Sequence, residues 1–308
     1  MLSFIFGHAL KRSFNVRYDG SPQLEYFLAS DYGCESKPFS FYSGNNLLRG
    51  EKVYCGDLSS ITKAMVFFHG VGAGRGAYMR EICYFAKKGY LVYCYDNTGC
   101  MQSEGRSAGN LAQSILDADA FFEYLKQDED YQNKPIDACG HSWGGVACLH
   151  CLKEDNPVRR VVAFAGVVDL VELYLTGGHL GAFARKPIQA YLKRAYGKDA
   201  LHGFRELETA KKPYLYIHGE NDELINSLNI YPRISKISRQ NPLVSCYLVR
   251  KRGHQCYWEE QAQKYFLDIF KKGKFGTPEH DPRCVIDYNR LRDDEVVMQV
   301  ASDFLSKR

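Results

Sequence analysis

The sequence predicts an α/β protein with a mostly parallel central sheet flanked by helices, and three observations lead there. Short apolar runs of strand length alternate with segments whose apolar residues recur at helical spacing. One run, Ile136 to Cys139, breaks at a serine set between glycines and passes at once into a second apolar segment. Strand-like character then stops from Asp169 to Glu208, so a helical insertion is expected inside an otherwise alternating chain.

Taken in order, residues 1 to 35 are weakly patterned and aromatic, and cover for the sheet is the role they suggest. The apolar run before Lys11 and Arg12 is too short for a signal peptide; it reads as a short amphipathic helix, packed on the body or resting on a membrane surface. Phe39 to Tyr42 and Leu47 to Cys55, separated by Ser43-Gly44-Asn45-Asn46, predict an antiparallel hairpin at the sheet's leading edge. Ala64 to Phe68 has the continuous apolar character of a strand buried on both faces and opens into His69-Gly70-Val71-Gly72-Ala73-Gly74-Arg75-Gly76. Glycine at every second residue fits neither of the common phosphate-loop patterns. Tyr78 to Lys88 predicts a helix stopped by Gly89, and Tyr90 to Tyr95 a strand that delivers Asp96 to a loop. Leu111, Ile115, Ala118, Phe122 and Leu125 mark a helix with one buried stripe. After the serine, Val146 to Leu152 reads as helix and Val161 to Phe164 as strand.

The insertion, 170–210, contains short helices at Glu172 to Leu175 and Pro187 to Tyr196 and suggests a cap over the serine. Its aromatic residues either face that serine or fasten the cap to the body. Pro213 to His218 and Leu243 to Val249 complete the strands, and helices are expected at Trp258 to Phe270 and Asp294 to Leu305. The loop between them, Gly273 to Arg292, has no legible purpose. All of this fits one domain over 1–308, a length that buries a sizeable core.

With 45% hydrophobic and 25% charged residues, the composition is that of a soluble globule with no run long enough for a membrane span. A net charge of +4 without a long basic block argues against nucleic acid as a partner. The eleven cysteines are odd in number and mostly scattered through apolar runs, which suggests reduced thiols in a cytoplasmic setting. Cys148-Leu149-His150-Cys151 has metal-like spacing but no second pair to complete four ligands, so no metal is expected.

The chemistry centres on Pro135 to Val146, P-I-D-A-C-G-H-S-W-G-G-V. Ser142 stands at the apex of a strand-turn-helix, with Gly140 and Gly144 two residues to either side so that strand and helix can close around the turn. This elbow resembles that of the α/β-hydrolases, and the chain looks like their serine aminopeptidase and monoacylglycerol lipase-like branch. The resemblance implies a nucleophile, an acid and a histidine in that chain order. It assigns the oxyanion donors to the Val71 and Trp143 N–H groups, after the His-Gly pair and after the nucleophile respectively. The loop after Asp96 is similar to that branch's D-x-x-G-x-G-x-S-x-G pattern at Asp96, Gly99, Ser103 and Gly105, with Met101 replacing a glycine; Asp96 is read as a loop anchor. H-G-x-x-D at 218–222 selects Asp222 as the acid, with Asp169 as its rival, and His254 stands where the family keeps its general base.

A serine hydrolase of carboxylic esters, of carboxylesterase, monoacylglycerol lipase or lysophospholipase type and without metal or organic cofactor, is the activity this implies. An aminopeptidase or acyl-peptide hydrolase is the alternative, with Glu172, Glu206 and Glu208 as candidate anchors for a substrate amino group. A non-catalytic binding module ranks below both, since all three triad residue types are present.

Overall fold

The eight predicted strands form one sheet in the computed structural model, which describes residues 14–72, 74–177, 180–275 and 277–307. The amphipathic helix expected before Arg12 lies outside them. The strands are β1 (Glu35–Ser43), β2 (Asn46–Tyr54), β3 (Lys63–Phe68), β4 (Tyr90–Tyr95), β5 (Ile136–His141), β6 (Val158–Phe164), β7 (Tyr214–Gly219) and β8 (Val244–Val249). They are ordered β1-β2-β4-β3-β5-β6-β7-β8. Only β1 with β2 and β2 with β4 pair antiparallel; every other neighbouring pair is parallel. All residues of β4, β5 and β7 are buried, which is why these strands read as mostly apolar runs, with Asp137, His141 and His218 as the buried polar exceptions.

Helices α1 (Met79–Lys87), α2 (Gln113–Leu125), α3 (Gly144–His150), α4 (Leu170–Gly177), α5 (Arg185–Tyr196) and α6 (Phe204–Glu208) precede β7, and α7 (Ile230–Ile237), α8 (Glu260–Lys272) and α9 (Glu295–Ser306) follow it. The short α6 and α7 were not expected. Ile230, Ile234 and Ile237 are all buried in α7, a four-and-three spacing that Pro232 disguises although proline is tolerated in a first turn. From β3 the chain crosses to β4 on one side and then to β5 on the other, so the connections diverge at the carboxyl ends of β3 and β5. Open α/β sheets bind ligands in the crevice at such a reversal.

One expectation, that the cysteines are reduced thiols, is corrected. Cys34 and Cys55, with Cα atoms 5.0 Å apart, form a disulfide between the segment before β1 and the end of β2; nine cysteines stay free. The loop 273–292, whose purpose the sequence does not show, helps to build a small core: Phe275, Ile286 and Leu291 pack against Leu24 and α8. Among the described residues no helix is long and apolar enough to cross a membrane.

Candidate active site

Ser142 sits between β5 and α3 with φ of +53°, the left-handed conformation that side chains adopt rarely and at a cost. The turn is held from three directions: Ser142 N–H donates to Phe164 O (3.0 Å), and Ser142 O accepts from Gly145 (2.9 Å) and Val167 (2.8 Å). A Cβ on Gly144 would stand 2.2 Å from Phe68 O, and one on Gly140 2.9 Å from Cys148 Sγ, so the flanking glycines let β3, β5 and α3 meet. Ser142 Oγ makes no hydrogen bond among the described residues. Both Ser142 and His254 line one cavity.

His254 follows β8, and its Nδ1 donates to Asp222 Oδ2 at 2.9 Å. The other carboxylate oxygen accepts from the Leu224 and Ile225 N–H groups, both at 2.9 Å, which fixes the turn after β7. Burial pushes the Asp222 carboxyl up, but the His254 hydrogen bond, the imidazole's charge and the two N–H groups together hold it below the usual range. Asp169 is elsewhere: its Oδ1 takes the N–H groups of Val171 (2.9 Å) and Glu172 (3.1 Å) at the start of α4. The structure thus joins His254 to Asp222 and leaves Asp169 as a helix cap.

Val71 lies half-exposed on the cavity wall, and neither its N–H nor that of Trp143 is taken by a hydrogen bond among the described residues. The Trp143 ring is buried and its Nε1 donates to Leu111 O at 2.7 Å. Asp96 binds the Arg75 guanidinium and the Arg75 N–H (2.8 Å), so it holds the glycine-rich loop in place. Met101 has φ of +45°, which explains why a glycine suits that position. His218 bonds Asn226 Oδ1 at 2.8 Å.

Tyr78 and His141 also belong to the site, although their spacing in the sequence does not mark them. Gly70 N–H donates to Tyr78 Oη (3.1 Å), Tyr78 O–H donates to His141 Nδ1 (2.8 Å), and His141 Nε2–H donates to the His254 carbonyl (3.1 Å). This chain of bonds ties the glycine-rich loop, the elbow and the histidine loop into one unit and sets the His141 tautomer. His141 lies within the elbow motif, but nothing in its spacing announces the partners.

Burial pushes the His141 pKa down to about 3, and burial likewise lowers those of His69 and His218. Such histidines stay neutral in the folded protein while the unfolded chain takes up protons below about pH 6.5. Their contribution is therefore complete above that pH and is lost on acidification. Each is expected to remove up to about 1.4 kcal/mol of stability per pH unit below pH 6.5. Urea unfolding at pH 7.5 and 5.5 measures this, and His141→Asn should reduce the loss between those two pH values; an unchanged pH dependence would refute the assignment.

The cavity has a volume of about 460 Å³. Its walls come from Leu24, Tyr26, Phe27 and Tyr32 before the sheet and from Trp258, Phe266, Phe270, Tyr288 and Leu291 after it. The two segments are fastened directly: Glu25 N–H donates to Tyr288 Oη at 2.8 Å, and the Phe27 and Tyr288 rings lie 5.1 Å apart. No described residue of 170–210 lines this cavity, so the expected cap over the serine is not what walls it. The insertion's aromatic residues fasten it to the body instead: Asn110 Nδ2 donates to Tyr191 Oη (2.8 Å) and Tyr196 Oη (3.3 Å), and Tyr174 O–H donates to Asn110 O.

Glu172, Glu206 and Glu208 are also away from the cavity; Glu172 pairs with Arg185 at 2.8 Å. The carboxyl buried in the wall is Glu81, which accepts from Trp258 Nε1 at 3.3 Å. Burial pushes Glu81 up, and burial together with Glu81 raises its neighbour Asp293 well above the usual range.

The architecture is that of the α/β-hydrolases. Residues 59–197 match the family described as serine aminopeptidase, S33. The fold is similar to that of the esterase Pf2001 from Pyrococcus furiosus, at 20% identity over 93% of this chain and 98% of that one, with a TM-score of 0.62. It is similar also to an acylaminoacyl peptidase from Pyrococcus horikoshii, at 19% identity and a TM-score of 0.51, over 77% of this chain and 42% of that one. A comparison with curated proteins found no match. Identities this low carry the fold and leave the activity to be argued from the site.

Proposed function

We propose that the protein is a serine hydrolase that cleaves carboxylic esters through an acyl-enzyme intermediate on Ser142. The observation that carries this reading is that Ser142 and an Asp222-bound His254 open onto the same aromatic-walled cavity. Serine is almost wholly protonated at neutral pH and needs a base. His254, with Nδ1–H committed to Asp222, keeps Nε2 free to take the Ser142 proton during attack and to return it to the leaving alcohol. The Val71 and Trp143 N–H groups receive the oxyanion, each worth about 2.7 to 4 kcal/mol in comparable sites. Water then repeats the sequence to release the acid. These steps call on no metal or organic cofactor, and a small-molecule substrate rather than nucleic acid is the partner.

The apolar walls favour an acyl or aromatic group over a charged one. The family match supports the second reading, an aminopeptidase or acyl-peptide hydrolase using the same three residues. We read 1–308 as one domain with 170–210 inserted. The seven buried free cysteines support a cytoplasmic setting, although the Cys34–Cys55 disulfide points the other way.

A panel of p-nitrophenyl esters of graded acyl length, run beside aminoacyl amides, tests the substrate class. The expected result is kcat/KM rising with acyl length until the cavity is full, with esters ahead of amides; faster turnover of aminoacyl amides would move the assignment to peptidase.

A further inference from the structure

Behind the elbow helix, His150 at the end of α3 faces His202, just before α6, with Nδ1 of the first 3.1 Å from Nε2 of the second. Each ring's outer nitrogen is committed to a carboxylate: His150 Nε2 lies 2.7 Å from Asp119 Oδ1, and His202 Nδ1 3.2 Å from Glu206 Oε1. Outer nitrogens bound to carboxylates carry the hydrogens, so in neutral rings the two inner nitrogens present lone pairs to each other. That arrangement calls for a cation between them. Asp199 supplies a third group, its Oδ1 3.9 Å from His202 Nε2, while its Oδ2 is held by Lys153 Nζ at 2.8 Å. The three inner atoms all lie within 4.8 Å of one another.

A proton shared by the two rings would answer the facing lone pairs but leave the Asp199 oxygen idle. We propose that His150, His202 and Asp199 form a binding site for a divalent transition metal such as zinc. Tetrahedral zinc with bonds of about 2.0 to 2.2 Å sets neighbouring ligand atoms about 3.3 Å apart, close to the His150–His202 separation, and a small closure of Asp199 completes the set. Each ligand's far atom already has its own partner in Asp119, Glu206 or Lys153, the outer support that metal-bound histidines and carboxylates normally have. A second cavity of about 270 Å³, lined by Asp119, His150 and Lys153, borders the site on the His150 side. Binding places M²⁺ on two neutral imidazoles and one carboxylate, and any proton held between the rings leaves to solvent. The site departs from the sequence expectation of no metal: His150 belongs to the Cys148–Cys151 string, but its partners come from the insertion. It lies apart from the cavity beside Ser142, and its role is to clamp the insertion to α2 and α3.

The test uses the full chain stripped with chelator. Equilibrium dialysis against Zn²⁺ should give one ion per chain, and Co²⁺ should produce the visible bands of a tetrahedral site. Zn²⁺ should also raise the thermal midpoint. Asp119→Asn is expected to weaken Zn²⁺ binding by about 10- to 100-fold through loss of the outer carboxylate. His202→Gln should abolish both the stoichiometric uptake and the cobalt bands, with circular dichroism confirming that it folds, while His280→Gln keeps them. Zn²⁺ uptake equal in wild type and His202→Gln, or no uptake by a folded wild type, would overturn the proposal; the second result would leave the histidines sharing a proton.

Discussion

Ser142→Ala is expected to lower kcat for a p-nitrophenyl ester by about 10⁴- to 10⁶-fold and to leave the protein folded. The loss is large because His254 then has no hydroxyl to deprotonate and no acyl-enzyme can form. What remains is the contribution of the oxyanion N–H groups and of binding in the cavity. Folding should survive, because the Ser142 side chain makes no hydrogen bond among the described residues and the elbow is held by backbone groups. A fluorophosphonate should label the wild type at Ser142 only, as peptide mass spectrometry would show. Undiminished turnover in the variant, or an adduct on another residue, would remove Ser142 from the mechanism.

Asp222→Asn should cost about 10⁴-fold in kcat, while Asp169→Asn should change it little. An asparagine can keep the two bonds from the Leu224 and Ile225 N–H groups through its oxygen, so the turn after β7 persists. It would offer an N–H to His254 Nδ1, however, and so favour the tautomer whose Nε2 carries the hydrogen and cannot act as base. Asp169 caps α4 and is joined to no histidine, so its loss should appear as a modest loss of stability. The reverse ranking, with Asp169→Asn the inactive enzyme, would transfer the acid's role to the end of β6.

The parts that were legible in the sequence are those whose signal is local. Strands buried on both faces give largely apolar runs, so β3, β4, β5, β7 and the Val161–Phe164 part of β6 could be read directly, and Gly140 and Gly144 mark the elbow because the close approach of Phe68 O and Cys148 Sγ admits no side chain. The His254–Asp222 pairing was accessible through chain order and the H-G-x-x-D turn. The cavity walls were not, because Tyr26, Phe27, Phe266 and Tyr288 carry no shared period and become neighbours only when segments more than 200 residues apart in sequence meet. The Tyr78–His141 bonds and the His150–His202 pair were hidden for the same reason. The Cys34–Cys55 bond, spanning 21 residues, could not be told from the nine free thiols by count or spacing.

The fastening of Glu25 and Phe27 to Tyr288 bears on how the molecule comes into being. Because the chain leaves the ribosome in order, the elbow can close once Val167 is out, yet the hydrophobic hollow beside it stays half-built until Tyr288 and Leu291 follow. A nascent chain that ends short of Tyr288 can therefore hold a formed elbow but has no complete hollow in which to seat a substrate.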